Sequence, residues 1–104
     1  MRIEDLMEIF METLNEILTK LDTVDNSNKN ELENKLVSFG GEALPYLVEE
    51  MQSIRGLKRG VIAMTLIRLG QQSVKYLEDA ASKNQEFAWV AKYLINEING
   101  CQVA

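Results

Sequence analysis

The stretch Leu36-Val37-Ser38-Phe39-Gly40-Gly41-Glu42-Ala43-Leu44-Pro45-Tyr46-Leu47 is answered thirty residues later by Leu66-Ile67-Arg68-Leu69-Gly70-Gln71-Gln72-Ser73-Val74-Lys75-Tyr76-Leu77. Leucines recur at the same places, a glycine closes each first half, and a tyrosine-leucine pair closes each second half. A fixed period of roughly 20–50 residues marks a stack of like units, each too small to bury its own apolar face.

Working outward, each half of the repeat reads as a helix. Asn30 with Glu33 has the form of an N-cap and its acidic N3 partner, so the spacing predicts a helix from about Glu31 to Gly40-Gly41. A second is expected from about Glu42 to Ser53, with Pro45 in the first turn, where a missing N–H costs nothing. Gly56 and Gly60 bracket the start of a third, about Leu57 to Leu69, stopped by Gly70. A fourth runs from Gln72 to about Ser82. After a break at Lys83-Asn84, a fifth spans Gln85 to Asn99, stopped by Gly100, and the last four residues are expected to fray.

Ahead of the repeats lies a leading amphipathic helix, residues 1–21. Ile3, Leu6, Met7, Phe10, Leu14, Ile17, Leu18 and Leu21 follow the spacing of one helical face. Glu4, Glu8, Glu12 and Glu16 form a second ridge at i, i+4 spacing. Like charges so placed repel by a few tenths of a kcal/mol, so the ridge faces either water or a basic partner. Residues 22–30 are a polar linker rich in Asn, Asp and Ser, which favour turns.

Length and composition set the outer limits. A chain of 104 residues is one domain by default, 1–104. One proline and few aromatic residues argue against an all-β sandwich. The opening Met1-Arg2-Ile3-Glu4-Asp5 is acidic, unlike a secretory signal. No apolar run approaches the ~18 residues of a membrane span. Cys101, the single cysteine, has no internal partner, which favours a cytoplasmic location.

The net charge of −5 is unevenly spread. Residues 1–52 hold 12 acids and 4 bases, net −8, whereas residues 53–104 hold 4 acids and 7 bases, net +3. Phosphate neutralisation drives nucleic-acid affinity, so an acidic chain is a poor candidate for it. With no histidine and one cysteine, Ser-His-Asp, Cys-His and His-containing zinc arrangements are excluded, as is a four-cysteine cluster. No phosphate-cradling glycine loop is present; Gly40-Gly41 precedes Glu and Ala. Carboxylate pairs such as Glu49-Glu50 are adjacent on a helix and point apart. The expectation is a protein that is not an enzyme and needs no cofactor.

Tetratricopeptide and ankyrin signatures are absent. What remains resembles the short HEAT-like repeat of phycobilisome-lyase-type proteins. Arg59, Val61, Ala63, Leu66, Leu69 and Gly70 match its first helix. Ala43-Leu44-Pro45-Tyr46-Leu47, and more loosely Ser73-Val74-Lys75-Tyr76-Leu77, match its second; Ala88, Ala91, Leu94 and Ile98 match in the last helix. The resemblance covers residues 31–99. It departs at Glu33, where a small residue is usual. It implies a short α-solenoid of about two and a half hairpins, capped by the leading helix, that serves as a scaffold for binding other macromolecules. It also implies that Arg59 bonds within the stack and that second helices line a concave, ligand-facing side.

Candidate partner-binding residues follow, each with a competing structural role. Glu8 and Glu12 belong to the acidic ridge. Arg55, Lys58 and Arg59, with Arg68, make the third helix basic, either as a patch for an acidic partner or to neutralise neighbouring acids. Tyr46 and Tyr76 recur on second helices and either meet a ligand or pack between layers. Phe87, Trp89, Val90, Tyr93, Leu94 and Ile98 are too many apolar groups for one buried face, so Trp89 and Tyr93 are candidates for a partner's contact. Three functions stay open. One is an acidic adaptor or inhibitor, such as a neutraliser of a basic protein. The others are a structural unit that pairs with its own kind through the last helix, and nucleic-acid binding through the third helix.

Overall fold

The computed structural model describes residues 2–101. The protein is all-α, with no strand among the described residues: α1 (Ile3–Lys20), α2 (Lys29–Ser38), α3 (Leu44–Met51), α4 (Gly56–Leu69), α5 (Val74–Lys83) and α6 (Gln85–Cys101). Short turns of 3-10 helix follow α1 (Leu21–Thr23), α2 (Gly40–Ala43) and α4 (Gly70–Ser73). Among the described residues no helix is long and apolar enough to cross a membrane.

The sequence repeat is a repeat of shape at its joints. Gly40 and Gly70 both take positive φ, +71° and +76°. That region is strained for any residue with a Cβ, which explains a glycine at each corner. From each corner the chain makes one 3-10 turn and enters the next helix, at Leu44 and at Val74. Equivalent positions are buried alike: Leu36 with Leu66, Leu47 with Leu77, and Ala43 with Ser73 are all sealed from solvent.

Packing joins neighbours and next neighbours. The most extensive contact is α5 on α6; α2 packs on α4, α4 on α6, α3 on α4 and α5, and α1 on α2. One continuous core runs through all of it, from Leu14 and Ile17 of α1 through Leu36, Leu47, Ile62, Leu66 and Leu77 to Phe87, Leu94 and Ile98. Two polar side chains lie within it. Thr65 Oγ1 donates to the Val61 carbonyl at 2.9 Å and Ser73 Oγ to the Leu66 carbonyl at 2.8 Å.

Three expected boundaries are corrected. Asn30 and Glu33 do not cap α2. The helix starts at Lys29 without a side-chain cap bond, after a turn in which Asp25 and Asn28 bond reciprocally: Asp25 N–H donates to Asn28 Oδ1 at 2.8 Å and Asn28 N–H to Asp25 Oδ1 at 3.1 Å. Ser27 N–H adds a second bond to that carboxylate, at 2.8 Å, and the Ser27 hydroxyl a third. Bonds from the Ser27 side chain and backbone hold the Asp25 carboxyl below its ordinary value. The linker is correspondingly shorter than residues 22–30. Gly100 does not stop α6, which continues to Cys101. Of the tail expected to fray, 102–104 lie outside the described residues.

Candidate protein-docking surfaces

The apolar surplus of α6 is divided. Asn84 begins the helix by accepting the Glu86 N–H at 3.1 Å and the Phe87 N–H at 3.1 Å. Phe87, Val90, Leu94 and Ile98 face the core and are buried. Trp89 and Tyr93, four residues apart, are left 71% and 60% exposed. Leu57 and Met64 of α4, seven residues apart, are also exposed.

Tyr46 and Tyr76 are half-buried and occupy successive grooves. Tyr46 leans on Phe10 of α1 (6.4 Å between ring centroids), and Phe10 meets Phe39 edge to face at 5.6 Å. Tyr76 lines a groove of about 310 Å³ with Pro45, Val48, Gln52 and Asp79, and the Lys75 ammonium lies 5.0 Å from its ring centroid.

Lys58, Arg59 and Arg68 of α4 each have a partner elsewhere in the fold. Lys58 pairs with Asp22. Arg68 reaches Glu33 Oε2 at 2.9 Å and Asn34 Oδ1 at 2.8 Å, so Glu33 bonds the neighbouring layer. Arg59 Nε donates to the Met51 carbonyl at 3.1 Å, and its guanidinium lies over the Phe87 ring. Burial, and secondarily the nearby Arg55, pull the Arg59 pKa down. Arg55 stays exposed and donates to the carbonyls of Gln52 and Ile54.

Glu8 and Glu12 are exposed on α1, and none of Glu4, Glu8, Glu12 and Glu16 forms an ion pair with a described residue. Beside them is a feature the helical periodicity did not mark. The apolar face of α1 is buried only in its second half, at Leu14 and Ile17; Ile3, Leu6 and Met7 are 75%, 53% and 55% exposed. With Phe10, Glu42 and Tyr46 they line an open groove of about 380 Å³. Among the described residues nothing packs over this end of α1 closely enough to bury it.

Among the described residues no group of three or more His, Cys, Asp or Glu side chains could hold a metal ion. No protein-family model matches the chain, and neither a curated protein nor a solved structure shows significant similarity to it.

Proposed function

We propose that the chain is a short HEAT-like α-solenoid whose work is to bind another protein, without catalysis. One observation carries this reading: large apolar side chains stand in water at both ends of the chain, Ile3, Leu6 and Met7 on α1 and Trp89 and Tyr93 on α6. Leaving them exposed forfeits burial that each would gain against a partner. The matched corners at Gly40 and Gly70 support the solenoid, and the single cysteine suits a reducing, cytoplasmic setting. The acidic first half favours a basic partner, as an adaptor or neutraliser would have.

The test is capture from the native cell by the tagged protein, beside a variant carrying Leu6→Asp and Trp89→Ala. A discrete protein retained in near-equimolar amount by the first and lost from the second is the expected result. Equal retention by both would defeat the reading.

The exposure of Trp89 and Tyr93 also favours a second reading, pairing of two copies through α6. Light scattering decides it: a mass of twice the monomer that halves in Trp89→Ala supports pairing, and a monomer at high concentration removes it. Nucleic-acid binding has less support, because Lys58, Arg59 and Arg68 are engaged within the fold.

A further inference from the structure

We propose that the seam between α1 and α3 seats an arginine side chain supplied by a partner protein. The proposal rests on the protein-binding reading above and names one contact of that partner. The seam holds a groove of about 340 Å³, lined by Met11, Asn15 and Leu18 on one side and by Tyr46, Glu49 and Glu50 on the other. Positions 11, 15 and 18 share one face of α1, and positions 46, 49 and 50 share one face of α3. Met11, Leu18 and Tyr46 are half-buried and supply apolar surface, while Glu49 and Glu50 bring two carboxylates to the same groove. Among the described residues no lysine or arginine lines it, and neither carboxylate is in an ion pair. The neighbouring grooves differ: Lys83 lines the one between α3 and α5, and Lys75 the one beside Gly41.

The chain itself shows what such a set of groups receives. Between α2 and α4, Arg68 reaches across to Glu33 Oε2 at 2.9 Å and to Asn34 Oδ1 at 2.8 Å. The seam between α1 and α3 offers the same kinds of acceptor, the carboxylates of Glu49 and Glu50 and the amide oxygen of Asn15, and no cation of the chain lines it. An arginine from outside completes the set. Its methylene stem gains apolar contact with Met11, Leu18 and the Tyr46 ring. Its guanidinium only donates hydrogen bonds, which suits carboxylate and amide oxygens, and bonds to carboxylates are the stronger kind. A lysine brings a compact ammonium with no planar surface for the tyrosine ring, so arginine fits better.

The probe is a capped alanine-leucine-arginine-leucine-alanine peptide. The controls are the same peptide with lysine at the centre, and with citrulline, which keeps the shape of arginine and loses its charge. Binding to the full chain is read by NMR shifts. The expected result is saturable binding of the arginine peptide with shifts confined to residues 11–18 and 46–53, weaker binding of the lysine peptide and none of the citrulline peptide. Glu49→Gln/Glu50→Gln should lower the affinity by roughly fivefold or more. Glu86→Gln/Glu97→Gln, an equal change of charge placed on α6, should leave it unchanged. None of these four glutamates is buried, so both variants should keep the wild-type circular dichroism.

Equal losses in the two double variants would reduce the contact to bulk charge and overturn the proposal. So would absence of binding, equal binding of the citrulline peptide, or shifts centred on another groove. Self-association of the wild type that Arg2→Gln abolishes would assign the groove to a second copy and overturn it as well. If a partner captured from the native cell is lost from Trp89→Ala and kept by Glu49→Gln/Glu50→Gln, the groove assignment fails while the protein-binding reading stands.

Discussion

The guanidinium of Arg59 lies 5.7 Å from the centroid of the Phe87 ring, which ties α4 to α6 through a side chain that also bonds the end of α3. A cation over an aromatic face and a bond to a backbone carbonyl act here on one residue. Arg59→Ala is expected to lower stability by about 1–2 kcal/mol. Arg59→Lys should recover only part of that, because an ammonium lacks the planar stacking surface. Denaturant unfolding checks both; equal stability of Arg59→Ala and wild type would refute the tie.

Two glycines on one helix should respond in opposite directions. Gly70, at φ +76° and ψ −147°, sits where a Cβ is strained, and Gly70→Ala is expected to cost about 1–3 kcal/mol. Gly60 lies inside α4, with nothing within 4 Å of the place a Cβ would occupy. Gly60→Ala should therefore stabilise by about 0.5–1 kcal/mol, through helix propensity and a less flexible unfolded chain. Thermal melts of the two variants should move to opposite sides of wild type.

The buried pair Leu66 and Ser73 separates apolar from polar contributions. Leu66 is wholly buried, and Leu66→Ala should cost about 2–5 kcal/mol. Ser73→Ala should cost less than about 1 kcal/mol. The Leu66 carbonyl that receives the Ser73 hydroxyl also receives the Gly70 N–H, so it keeps a partner, and alanine already occupies the equivalent position at Ala43. A loss comparable to that of Leu66→Ala would show that the hydroxyl holds the joint together.

Asp25 predicts an acid limb to stability. Its folded pKa lies below the ordinary 3.8, so its contribution is fully present above that value and lost as pH falls through the folded pKa. Asp25→Asn should flatten the dependence on pH below about 4. In wild type, NMR titration should place the Asp25 midpoint under 3.8. A midpoint at or above it would mean that the bonds from Ser27 and Asn28 do not form in solution.

Much of the architecture was legible because apolar periodicity and glycine placement are local signals. Leu36 and Leu66 announce the same buried position, and Gly40 and Gly70 the same corner. What was illegible depended on competition or on neighbours. Asn30 with Glu33 has the right spacing for a cap, but α2 already starts at Lys29, after a turn in which Asp25 and Asn28 bond each other, and Glu33 is drawn to Arg68. Gly100 permits a corner without requiring one, and α6 runs through it. At the candidate surfaces, Trp89 and Tyr93 were readable as surplus from the count of apolar groups on α6. The open face of α1 was hidden, because periodicity shows which side of a helix is apolar and not whether anything reaches far enough to cover it.

The principal contacts of this chain join each helix to the next or to the one beyond. No distant segment has to find another before the core begins to form, so little loop-closure entropy opposes the search. Such low contact order belongs to rapid folders, and the whole chain should reach its native state within milliseconds of leaving denaturant.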